Sequence, residues 1–175
     1  MRIGFRHCDP RFPFLWQSPL QREARWHGAG EGPANYFADT PAGAWAEFLR
    51  HEGITDAVDL AGVQRSLWAV ELPAHGYATP TLPEATLFGD ESSYPACQAE
   101  ARRLRTAGGE RLEVRGAALL PGQARGWSAS AGVAAGPTLR DGMVIVLYGN
   151  CDCIGWVCVD GGHPPAQVLP LVRPL

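Results

Sequence analysis

The sequence predicts an α+β fold, and three observations carry that expectation. Two segments space their apolar residues as helices do, four others alternate with a period of two, and the two kinds do not alternate strictly along the chain as a doubly wound sheet requires. The clearer helix runs from residue 40 to about residue 52, with Thr40 suited to the N-cap, Pro41 to the first helical position and Gly53 to the stop. Ala44, Trp45, Phe48 and Leu49 form its apolar stripe. That leaves Glu47 on the flank beside His51, facing either water or a pocket. A second helix begins near 93–95 and stops at Gly108 and Gly109, with Cys97, Ala101 and Leu104 inward and Arg102, Arg103 and Arg105 on a solvated face. Strands are expected over 67–72, 112–120, 143–148 and 154–159, and the run from Met143 to Leu147 reads as the most buried. The stretches 73–92 and 122–142 are rich in Gly, Pro, Ala and Thr without a period, and their length is that of lids and binding loops.

Length and composition bound the rest. With 175 residues, 46% of them apolar, the chain has material for one core, and a single domain over 1–175 is the expectation. A share of 21 Gly and 15 Pro favours turns over long helices. All 15 basic residues are Arg, so every lasting cation is a planar, forked donor. The net charge of −3 lacks the basic footprint of a protein that neutralises many phosphates, and direct nucleic-acid binding is not expected. No stretch reaches the roughly 20 apolar residues of a membrane span, and the first residues carry no run of signal-peptide length. Five cysteines, an odd number, speak against a disulfide framework. The expectation is a cytoplasmic protein without a membrane contact, its oligomeric state left open.

One segment concentrates the candidate chemistry. Arg25, Tyr36 and Glu47 follow one another at equal steps of eleven residues, the first in a glycine-rich turn and the last on the clearer helix. A forked cation, an aromatic face and a carboxylate together suit an anionic, planar ligand with a site of developing positive charge. The plain alternative is an Arg in a surface ion pair, a Tyr in the core and a solvated Glu.

The order of residues here resembles the RES domain, a family of NAD-consuming toxins in bacterial toxin–antitoxin pairs. The opening Arg25-Trp26, the glycine-rich turn, the run from Tyr36 to Pro41 and the helix Ala44-Trp45-Ala46-Glu47-Phe48-Leu49 are similar to the family's core signature, with Arg25, Tyr36 and Glu47 at its polar active-site positions. Arg6, between Phe5 and His7, resembles the family's N-terminal Arg, and the stretch from Tyr94 to Ala101 its second helix. The resemblance implies an ADP-ribosyltransferase-like mixed sheet with flanking helices, NAD as substrate and a cognate antitoxin as partner.

It also implies roles. Cleaving the bond from nicotinamide to ribose expels a neutral leaving group from a cation and passes through an oxocarbenium-like state, so Glu47 is expected to stabilise that charge. Arg25, together with Arg6, would hold the pyrophosphate, and Tyr36 would pack against the nicotinamide or its ribose. The outcome is NAD glycohydrolysis or phosphorolysis, or ADP-ribosylation of a protein, according to the acceptor. His27, beside Arg25, either reaches the substrate phosphate or the acceptor or orients Trp26, and His7 has the same status. Gly116 stands where the family places a Ser; backbone amides and Arg115 would then supply its contact, or Ser128 or Ser130 from a loop folded back, or the site is weakened to an NAD-binding module.

Cys151, Cys153, Cys158 and His163 fall within thirteen positions but lack paired C-x-x-C turns. They are read as buried or loop residues, Cys158 inward from its strand, and no metal is expected. Neither a G-x-S-x-G elbow nor a phosphate-binding loop ending in Lys is present.

Overall fold

The structure, a computed structural model, describes every residue except Trp16, Pro19, Leu20 and Leu175. Strands β1 (Arg2–Cys8) and β2 (Ala34–Ala38) lie antiparallel, and α1 (Pro41–His51) follows at once. α1 starts as its sequence dictates, with the Thr40 hydroxyl accepting the Gly43 N–H at 3.0 Å and Pro41 in the first turn. Gly53 closes it at φ +65°, a conformation that costs glycine little. After the short α2 (Ala57–Leu60) come β3 (Arg65–Leu72), β4 (Tyr77–Ala78), α3 (Glu84–Phe88) and α4 (Tyr94–Thr106). β5 (Arg111–Arg115), β6 (Gly126–Ser130), β7 (Val133–Thr138), β8 (Met143–Tyr148) and β9 (Gly155–Gly162) complete the set. Seven strands form one mixed sheet in the order β4-β5-β8-β2-β1-β3-β9, with only β4 and β5 parallel. The fold is therefore α+β with a mixed sheet and flanking helices.

Side-chain alternation assigns each strand residue to a face. On one face Phe5, Ala38 and Leu67 pack under Trp45, Phe48 and Leu49 of α1, while Leu112, Val114, Val144 and Val146 pack with Trp26 and with Cys97 and Ala101 of α4. On the other face Phe37, Val70, Leu72, Ile145 and Leu147 are covered by Phe14 and Leu15 and by Cys151 and Cys153. β8 lies inside the sheet between β5 and β2 with four consecutive buried residues, as the run from Met143 to Leu147 requires.

Three expectations change. The strand expected over 112–120 stops at Arg115, because beyond it the Ala117 carbonyl turns to accept from Arg50 at 3.0 Å and from Arg173 at 3.2 Å. The stretch 122–142 holds the hairpin β6–β7, turned through Ala131 (φ 50°) and Gly132 (φ +81°). Both faces of this hairpin are exposed, so burial never imposed an apolar period on it. Cys158 does not point inward: it lies exposed on β9, an edge strand. Among the described residues no helix is long and apolar enough to cross a membrane.

Candidate active site

A cleft of about 610 Å³ opens on the helix-bearing face of the sheet. Its floor is Phe5, His7, Tyr36, Ala38 and Val144, and α1 forms one wall with Ala44, Glu47, Phe48, Arg50 and His51. Arg25, Trp26, Asp90, Glu91, Ser92 and Tyr94 border it elsewhere.

Glu47 stands half-buried in this cleft. Burial pushes its carboxyl above the usual carboxylate range, while Arg25, Arg50, the Ala118 amide and His51 pull toward the ionised form. The two guanidinium groups nearest in charge to Glu47 hold the 86–93 segment. Arg25 donates to the Thr86 carbonyl at 3.2 Å, the Ser93 hydroxyl at 2.9 Å and the Gly89 carbonyl at 2.6 Å, and lies 4.9 Å over the Tyr94 ring. Arg50 donates to the Phe88 carbonyl at 3.0 Å and to Gly89 at 3.4 Å, so one carbonyl oxygen receives two cations. Burial and the Arg25 charge hold Arg50 below its ordinary pKa.

Tyr36 lines the cleft with its ring, but its hydroxyl belongs to the loop behind. It accepts the Trp26 N–H at 3.1 Å and sits 2.9 Å from His27 Nδ1. His27 Nε2 lies 2.7 Å from the Arg22 carbonyl, which can only accept; Nε2 therefore carries the proton and Nδ1 of the neutral ring accepts from Tyr36. Burial, the largest effect, lowers the His27 pKa and keeps the ring neutral. The tyrosine thus fixes the backbone that carries Arg25.

The RES domain family model matches residues 2–124, well over half of the chain and every cleft residue named above except Val144. The chain belongs to the RES family. Its fold is similar to a chain in the crystal structure of the M. tuberculosis MbcT–MbcA toxin–antitoxin complex, with a TM-score of 0.60 and 16% identity over 97% of this chain and 88% of that one. No curated protein matches.

Within this RES domain the expected site residues divide. Arg25, Tyr36 and Glu47 border one cleft. Arg6 also borders the cleft, but β1 turns its guanidinium to the opposite face, where it donates to Asn35 Oδ1 at 2.8 Å and lies 5.8 Å from the Phe37 ring. A pyrophosphate clamp of Arg6 with Arg25 is therefore not assembled in this structure, and strand alternation is the reason. His27 is 1% exposed with both ring nitrogens engaged, so it holds the loop and has no free nitrogen for a phosphate. Gly116 continues the parity of Leu112 and Val114; a Cβ there would stand 3.6 Å from Val144 Cγ2 and 3.4 Å from the Gly142 carbonyl. Arg115, its neighbour, lies against the cleft but is ion-paired with Glu84. Ser128 and Ser130 are exposed on the projecting hairpin and do not fold back.

Sequence alone does not single out Arg50, Ser93 or Tyr94 for this site, and the structure also places His7. Arg50 lies three residues after Glu47, one helical turn along the same wall, and that spacing was the available signal. Tyr94 stacks on Arg25, and Ser93 accepts from it. His7, inward from β1, lies against Trp45 and Phe48 with ring centroids 6.5 and 5.0 Å away, and its Nδ1 is buried without a hydrogen-bond partner. Burial, with Arg65, Arg6 and His51 adding repulsion, pushes its pKa down to about 3. Among the described residues no group of three or more His, Cys, Asp or Glu side chains is placed to hold a metal ion.

Proposed function

We propose that this RES protein consumes NAD by cleaving its nicotinamide–ribose bond and acts as the toxin of a toxin–antitoxin pair, with residues 1–175 working as one unit. The observation that carries the reading is Glu47: a carboxylate half-buried on an aromatic-lined wall, with two guanidinium groups beside it. Nicotinamide leaves already carrying the electron pair of the broken bond, so no acid is needed. The cost lies in the positive charge left on the ribose, and a carboxylate with little water around it lowers that cost more than one in bulk solvent. Tyr36 supplies a flat apolar wall and holds the backbone under Arg25. Arg25 binds the anionic part of the substrate. Water, inorganic phosphate or a protein side chain takes the ribosyl cation, giving a glycohydrolase, a phosphorylase or an ADP-ribosyltransferase. The similarity to a chain of a toxin–antitoxin complex supports an antitoxin partner that would regulate access to the cleft.

A second reading, an NAD-binding module with weak turnover, rests on Gly116, which carries no hydroxyl beside Val144 of the cleft floor.

Purified protein incubated with NAD, with and without phosphate, followed by chromatography of the products, separates these readings. Nicotinamide release that falls by at least about a hundredfold in Glu47→Ala is the expected result, and dependence on phosphate names the acceptor. Because Glu47 is held above the ordinary carboxylate range, activity should fall on the acid side at a higher pH than an ordinary glutamate would give. NAD bound and recovered intact by folded protein, free of any inhibitory partner, would favour the module.

A further inference from the structure

The pairing of Arg25 and Arg50 leaves charge unmatched. Two cations share the Gly89 carbonyl, and their other acceptors are the neutral Thr86, Phe88 and Ala117 carbonyls and the Ser93 hydroxyl. Arg50 Nε is buried and has no partner at all. Glu47 acts on both guanidinium groups, but its own burial opposes its ionisation; Asp90, also on the cleft, acts on Arg25. Arg6, the expected second cation, faces away. An anion with several oxygens would therefore find two forks bordering one cleft, and charge-assisted hydrogen bonds to it are stronger than those now made to neutral carbonyls.

We infer that Arg50 is the second anion-binding residue of the cleft, taking a diphosphate jointly with Arg25 and setting a preference for diphosphate over uncharged nucleoside ligands. The inference rests on the proposed NAD-directed function for its substrate class, and on the Arg50 geometry for its residue. On binding, ligand oxygens replace the Gly89 carbonyl between the two forks and reach the unpartnered Nε. Arg50 sits one turn from Glu47 on α1, so the same helix wall that stabilises charge at the ribose also fixes the distance to the diphosphate.

Titration calorimetry of the full chain with ADP, AMP and adenosine tests this. Wild type should bind ADP more tightly than adenosine, and Arg50→Gln should lose about a hundredfold in ADP affinity with adenosine unchanged. Arg50→Lys keeps the charge without the fork and should lose about tenfold, which covers the case in which the glutamine variant fails to fold. Equal loss for ADP and adenosine would make Arg50 a scaffold residue and overturn the inference, as would ADP affinity unchanged in either folded variant or no ADP binding by wild type. The outcomes separate from those of the NAD reading. Nicotinamide release with Arg50-independent ADP binding overturns this inference alone, and Arg50-dependent ADP binding without nicotinamide release overturns NAD cleavage alone.

Discussion

The two faces of the central strands carry similar residues and put them to different use. On one face His7 and Tyr36 look into a cleft with Glu47, Arg25 and Arg50; on the other, one residue away along the same strands, Arg6 and Asn35 bond to each other. Asn35 is 1% exposed, and its amide also lies 3.4 Å from Cys151 Sγ. The covered face satisfies its cation with a neighbour inside the fold. The cleft face leaves His7 Nδ1 and Arg50 Nε without partners and a carboxyl above its ordinary pKa, while the covered face leaves only Trp68 Nε1 so among the described residues. Unfavourable placement of this kind persists where a ligand can relieve it.

That contrast has its sharpest test at Asn35. Asn35→Ala strips Arg6 of its acceptor on the covered face and should lower the unfolding free energy by about 2–3 kcal/mol in chemical denaturation, with nucleotide affinity of the folded protein unchanged. A loss of affinity with stability intact would erase the distinction between the faces.

His7 offers a pH test of the cleft side. Its folded pKa is pushed down to about 3, below the ordinary value of 6.5, so the unfolded chain binds the proton first. Stability from this group is complete above pH 6.5 and is lost as the pH falls toward 3, at up to about 1.4 kcal/mol per pH unit. His27 is lowered in the same direction and adds its own share. Thermal melts of wild type and His7→Phe across that range should diverge, the variant losing less stability on acidification. Parallel curves would show that the His7 ring is not held neutral.

Gly116→Ser should have the smallest effect on stability, within about 0.5 kcal/mol by denaturant titration, because a Cβ there meets only ordinary contacts at 3.4 and 3.6 Å and the backbone needs no positive φ. The variant places a hydroxyl on the cleft face beside Val144, and nicotinamide release should rise if the missing hydroxyl limits turnover. A folded variant with no gain would mean that Gly116 does not limit the site.

Much of the scaffold was legible because it is local. The cap and stripe of α1, the period of α4 over Cys97 and Ala101 and the buried run of β8 each follow from contacts within a few residues or from one uninterrupted hydrophobic segment. β1 and β2 do not show as strands in the sequence, since Arg6, His7, Asn35 and Tyr36 break the apolar alternation that marks a strand. These are the strands that furnish the cleft. Chemistry placed on a strand obscures the pattern that would reveal it.

The sequence by itself determined the α+β class, the helix that carries Glu47 and the spacing that makes Arg25, Tyr36 and Glu47 candidates together. Only the tertiary structure decided which cation serves the cleft. Arg6 and His7 are adjacent in the chain, and the sheet sends one to each face; Arg50 and Arg25 are twenty-five positions apart and meet at one carbonyl. Local propensity fixes an element, but the face that a residue presents depends on register and on what packs above it, and those are set by partners distant in sequence.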